Sequence, residues 1–142
     1  MIILDTNVVS EATKLQPSPE VRRWLAAYPP ERLFITAVTQ AEILYGLELL
    51  ASAMRRAKLQ AKVDAASAEE FAGRILPFDE QAARAHGRIA AERRASGRPI
   101  APFDGQIAAI ARSRNAAVAT RDVYGFEGCG VTVLNPWAGL RS

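Results

Sequence analysis

Four carboxylates in this 142-residue chain fall at positions where chemistry is usually done. Asp5 ends the apolar run Ile2-Ile3-Leu4, and Asp122 follows a second run, Ala117-Val118-Ala119, after Thr120 and Arg121. Glu42 has Val38, Thr39, Tyr45 and Gly46 as its three- and four-residue neighbours, with no cation among them. Asp104 comes just after Pro102, with Ile107 and Ala108 one turn on. A solvated helical acid normally shares its face with Lys or Arg, whereas Glu42 and Asp104 lie on or beside faces expected to be buried. Taken singly, each has a plain structural explanation. Asp5 caps a helix, Asp122 shapes a turn, Asp104 complements a helix dipole and Glu42 is solvated at the edge of its stripe. Taken together these explanations weaken, because clustered, partly buried acids without cations repel one another and bear a desolvation cost. A divalent cation relieves that cost, and an all-carboxylate donor set favours Mg²⁺ or Mn²⁺ over zinc.

The elements that position these acids follow from the apolar pattern. Ile2 to Leu4 and Leu33 to Ile35 suit short buried strands. Ile75-Leu76-Pro77-Phe78 suits an edge strand because it contains Pro, and Ala117 to Ala119 and Val131 to Leu134 give two more. Between them the spacing predicts helices: one from Ser18 as cap and Pro19, stopped at Tyr28-Pro29-Pro30; one from Ala37 to about Met54; one from Arg55 to Phe71. A further helix runs from an Asp79 cap to about Ala95, ended by Gly97, and another starts at Pro102. Alternating strands and helices predict a three-layer α/β/α domain around a central, mainly parallel sheet of about five strands, filling residues 1–142 as one domain. In such sheets ligands gather at the carboxyl ends of the strands, which is where Asp5 and Asp122 fall.

Composition sets the outer bounds. Hydrophobic residues make up 49% and charged residues 23%, which excludes wholesale disorder. The single cysteine, Cys129, excludes an internal disulfide and any Cys-rich zinc site. A net charge of +3 is compatible with a polyanionic partner without demanding one. No targeting segment or membrane span is visible, so a cytoplasmic setting is expected.

The segments Ile3-Leu4-Asp5-Thr6-Asn7, Thr39-Gln40-Ala41-Glu42-Ile43-Leu44-Tyr45-Gly46, Asp104-Gly105-Gln106-Ile107-Ala108-Ala109 and Ala119-Thr120-Arg121-Asp122 stand in order along the chain. With Ile75-Leu76-Pro77-Phe78-Asp79, Gly87-Arg88-Ile89 and Leu134-Asn135-Pro136-Trp137, they resemble, nearly end to end, the PIN-domain ribonucleases, specifically the VapC toxins and their FitB-like branch. The resemblance implies a PIN-like fold and puts the acidic quartet on Asp5, Glu42, Asp104 and Asp122, as catalytic residues and metal ligands. Many VapC proteins have Asn where this chain has Asp122 and an acid where it has Gly125; the FitB-like branch has the earlier acid, as here. Thr6 and Thr120 have the family's small hydroxyl character.

The expected activity is therefore hydrolysis of RNA phosphodiesters with Mg²⁺, for which Mn²⁺ substitutes. Asp5 and Asp104 are the expected direct ligands, and Glu42 and Asp122 bind a second ion or hold and deprotonate the attacking water. The resemblance further implies 5′-phosphate and 3′-hydroxyl products and a small cognate antitoxin, with DNA reached only through that complex. It also implies a homodimer, for which Leu47, Leu49, Leu50 and Leu59 are candidate contacts, although core packing explains them equally well. Two rivals remain. A phosphotransferase with Asp5 as covalent nucleophile wants an acid at Asn7 and a downstream catalytic Lys, neither of which is found. A non-catalytic module would bind RNA or a partner and act mainly as an antitoxin–DNA complex; the intact quartet argues against it. His86 reads as a packing residue, Cys129 as loop filler, and the groups Arg55-Arg56-Lys58-Lys62 and Arg93-Arg94-Arg98 as solvated helix faces. Arg98 and Arg121, at loop ends, are the better candidates for touching phosphate.

Overall fold

A computed structural model describes residues 1–139. Its five strands are β1 (Ile2–Leu4), β2 (Leu33–Thr36), β3 (Ile75–Leu76), β4 (Ala117–Ala119) and β5 (Val133–Leu134). They form one parallel sheet in the order β3-β2-β1-β4-β5. The helices are α1 (Thr6–Ala12), α2 (Pro19–Ala26), α3 (Ala37–Glu48), α4 (Ala53–Ala65), α5 (Glu80–Ala95) and α6 (Pro102–Ser113).

The pleat sends successive side chains to opposite faces, and both faces are covered. Ile3 and Val118, paired in register, point into a core with Ala82, Ile89, Ile107, Ile110 and Phe126, under α5 and α6. Ile2, Leu4 and Ala119 point the other way, into a core with Val8 and Trp24 from α1 and α2. This is the expected three-layer domain. Gly105 lets α6 approach α5 closely: a Cβ there would stand 3.1 Å from His86 Nε2 and from Ile100 Cγ2.

Several boundaries differ from expectation. Residues 6–12 form a helix directly after β1, because the Asp5 carboxylate accepts from the Thr6 N–H at 2.8 Å and caps it. The helix starting at Ala37 stops at Glu48 rather than near Met54, and Ser52 caps a new one by accepting from the Arg55 N–H at 3.2 Å. That helix, α4, ends at Ala65 and widens into a π turn over Ala66–Glu70. β3 stops at Leu76, before Pro77, and takes the expected edge position. Ser18 precedes α2, but its hydroxyl donates to Glu20 instead of capping the backbone. Asp79 caps α5 as expected, accepting from the Ala82 N–H at 3.0 Å. No helix of the described residues is long and apolar enough to cross a membrane.

Candidate active site

Sheet order places the change of direction at β1, whose neighbours are β2 on one side and β4 on the other. The crevice at the carboxyl ends of β1 and β4 is where an open parallel sheet leaves room for a ligand. Asp5 directly follows β1 and is only 4% exposed. One of its carboxylate oxygens caps α1; the other accepts from the Thr120 hydroxyl at 2.8 Å and the Asn7 amide at 3.2 Å. Thr120, directly after β4, also accepts from the Asp122 N–H at 3.0 Å, so one hydroxyl ties the two strand ends together.

Glu42 reaches the same place from α3. The Thr6 hydroxyl donates to its carboxylate at 2.8 Å and lies 3.1 Å from the buried Thr39 hydroxyl. Thr36, at the end of β2, accepts from the Thr39 N–H and starts α3, which fixes the depth at which Glu42 enters. Asp104 enters from the first turn of α6. Asp5, Glu42 and Asp104 share the wall of one cavity of about 470 Å³. Asp122 is exposed on the loop after β4, outside that wall, with the Gly125 N–H donating to its carboxylate at 3.0 Å. A Cβ on residue 125 would lie 2.3 Å from the Asp122 carboxylate, so this acid occupies the space that a side chain at 125 would need.

The electrostatics register the crowding. Burial pushes the Asp5 carboxyl up, against the lowering hydrogen bonds of Thr120 and Thr6, and the Glu42 and Asp122 charges push it further. Asp104 is raised to about 6, by burial first and then by the charges of Asp5, Asp122 and Glu42. Among the described residues no three of His, Cys, Asp or Glu stand close enough to hold one ion by themselves.

Other candidates sort out clearly. His86 is half-buried and edge-on to Phe78, with ring centroids 6.0 Å apart, as a packing residue should be. Cys129 is buried, and burial pushes its thiol up, against nucleophilic use. Arg98 pairs with Glu127 at 3.3 Å. Arg93 overturns the reading of its group as a solvated face. It is 6% exposed and donates to the carbonyls of Arg98 at 2.7 Å, and of Gly125 and Glu127 at 2.9 Å each. Leu47 is buried within its own chain, which removes it from any dimer face, whereas Leu49 is exposed. Asn7, Thr39 and Glu11 escaped sequence reasoning. Glu11 is buried beside the cavity and pairs with Lys14 at 3.1 Å, and that contact holds its carboxyl below the usual range.

A parallel α/β domain with carboxylates gathered at the carboxyl ends of its central strands is the class that fold and site define. The PIN domain model matches residues 2–127, and the chain belongs to that family. It is 40% identical to the VapC ribonuclease Y4jK of Sinorhizobium fredii over 96% of this chain and 98% of that protein. Identity is also 40% with toxin FitB of Neisseria gonorrhoeae, over 96% of this chain and 99% of that one. The structure of FitAcB from Neisseria gonorrhoeae superposes with a TM-score of 0.90 at 40% identity, covering 96% of this chain and 99% of that one.

Proposed function

We propose that this chain is a divalent-metal-dependent endoribonuclease and the toxin of a toxin–antitoxin pair. The observation that carries the reading is the convergence of Asp5, Glu42 and Asp104 on one cavity wall, with Asp122 close enough to raise Asp5 and Asp104. All the donors are carboxylate oxygens, which suit a hard cation. Magnesium keeps most of its waters and takes only one or two carboxylates, so a set too open to chelate an ion alone still fits it. Asp5 and Asp104 would hold the ion, with Glu42 and Asp122 as the further acids beside it. When bound, the cation supplies Lewis acidity toward the scissile phosphoryl oxygen.

The chain's own residues do the rest. Thr120 and Asn7 hold one Asp5 oxygen while the Thr6 N–H holds the other, so the carboxylate is oriented before substrate arrives. Thr6 likewise aims Glu42. A water attacks phosphorus in line, its proton passes to Glu42 or Asp122, and the bond to the 3′ oxygen breaks. The leaving oxygen takes a proton from solvent, leaving a 5′-phosphate and a 3′-hydroxyl. His86 packs against Phe78, and the route needs no histidine. A small antitoxin partner, contact with DNA only through that complex, and homodimerisation belong to the same proposal, in which the likeness to toxin FitB supports the toxin role.

The test is cleavage of RNA by the purified chain with Mg²⁺, with Mn²⁺ and with excess EDTA, alongside Asp5→Asn. Cleavage confined to the metal-containing reactions and abolished in the variant is expected. Full cleavage in EDTA, or undiminished turnover by Asp5→Asn, overturns the reading; a folded protein that binds RNA without cutting it marks a binding module instead.

A further inference from the structure

We propose that Arg121, seated on the face of Trp137, is a subsite for an RNA phosphodiester flanking the one that is cut. The inference rests on the ribonuclease reading. Both residues line the cavity that holds Asp5, Glu42 and Asp104. Of the four carboxylates on that wall, Glu11 is paired with Lys14, and the other three repel a polyanion that brings one negative charge per nucleotide, so binding needs a cation nearby. The described wall has two, Lys14 and Arg121. Lys14 is paired with Glu11 at 3.1 Å. Arg121 has no ion-pair partner among the described residues, and Glu11, whose carboxyl feels the Arg121 charge, already has its lysine.

Position makes this arginine more than a loose surface charge. Its backbone N–H donates to the Asn7 side chain at 3.2 Å, and the same Asn7 holds Asp5, so the base of the arm is fixed to the carboxylate it works beside. Its guanidinium carbon lies over the Trp137 ring, 5.1 Å from the centroid, within the range of cation–π attraction. Trp137 is itself anchored: its ring packs against the core of Ile2, Leu4, Val8 and Trp24, and its backbone N–H donates to the Asn135 side chain at 3.0 Å. A cation–π contact engages the guanidinium's charge and leaves N–H donors for two phosphate oxygens.

A cleavage-silent Asp5→Asn protein binding a short fluorescein-labelled single-stranded RNA over a range of KCl concentrations separates the phosphate contact from catalysis. Adding Arg121→Ala should weaken binding about tenfold and lower the slope of log affinity against log salt by about 0.7, the share of one single-strand phosphate. Adding Trp137→Ala should weaken binding while leaving the slope intact, because the charge stays but its platform goes. Trp137→Phe should restore most of the affinity and guards against misfolding of the alanine variant. Mn²⁺ affinity, measured on otherwise unaltered protein, should not change with Arg121→Ala. An unchanged affinity and slope in Arg121→Ala overturns the subsite alone. Loss of Mn²⁺ affinity overturns it too, since Arg121 would then act through the acidic cluster. Failure of the wild-type chain to cut RNA with Mg²⁺ or Mn²⁺ removes the ribonuclease reading, and the subsite with it.

Discussion

Asp104 shows what holding the acids together costs. Its carboxyl is raised to about 6 from the ordinary 3.8, chiefly by burial and then by three neighbouring negative charges. Between those two values the folded protein keeps a proton that the unfolded chain has released, so this group makes metal-free stability fall as pH rises through the interval. Replacing it with Asn removes both the charge and its desolvation. In EDTA, Asp104→Asn should therefore melt higher than the wild type, and the gap should widen as pH passes from 3.8 to above about 6. Saturating Mn²⁺ should reverse the order. It stabilises a protein by about 2.7 kcal/mol at a hundredfold excess over Kd, and the variant should lose that increment. Thermal melts of both proteins in EDTA and in Mn²⁺, at several pH values, check this. A variant that melts lower in EDTA and still gains the full Mn²⁺ increment would mean that the acids do not share an ion.

At the scale of elements, the sequence was most legible where one local pattern decided the outcome. The runs at Ile2, Leu33 and Ala117 became the three central strands because each is apolar on both faces. It was least legible where a single side chain decided. Thr6-Asn7-Val8-Val9 is a poor helix by propensity, and the Asp5 cap turns it into α1. Ser52 divides α3 from α4 without a proline or glycine to mark the break. The site divides in the same way. Three of the candidate acids, Asp5, Glu42 and Asp104, do share one cavity wall, but the link from Thr6 to Glu42 spans 36 positions and exists only in three dimensions. Arg93 is a further case: it continues the buried Ala82, Ala85, Ile89 stripe of α5, but its charge and its exposed neighbours Arg94 and Arg98 point the other way. It fastens the loop behind Asp122 to α5 through the carbonyls of Gly125 and Glu127, and it holds the Arg98 carbonyl just past the helix with a third hydrogen bond. Arg93→Ala would leave those carbonyls without their donor, and urea unfolding should show a loss of about 3 kcal/mol. Arg94→Ala, on the exposed side of the same helix, should change stability by under about 0.5 kcal/mol. Equal small losses would show that the buried guanidinium contributes no more than a surface one.

Across the whole molecule, the two hydrophobic cores lie on opposite faces of the sheet, while the carboxylates stand at the ends of its strands. The apolar contacts that hold the layers together therefore do not pass through the site, and an isosteric change there should leave the fold in place. This separation makes a cell-level prediction decisive. Wild-type chain expressed without a partner should arrest growth, and Asp5→Asn expressed to the same level should not. The variant retains an oxygen that can accept from the Thr6 N–H and cap α1, and it loses the charge that the cation requires. Growth curves, with immunoblots for level and circular dichroism for folding, make the comparison. Arrest by Asp5→Asn equal to that of the wild type would place the toxicity in binding rather than cleavage. Harmless expression of a folded, nuclease-active wild type would remove the toxin reading and leave the ribonuclease standing. Toxicity that follows the carboxylate, at equal level and equal fold, ties growth arrest to hydrolysis at the carboxyl end of β1.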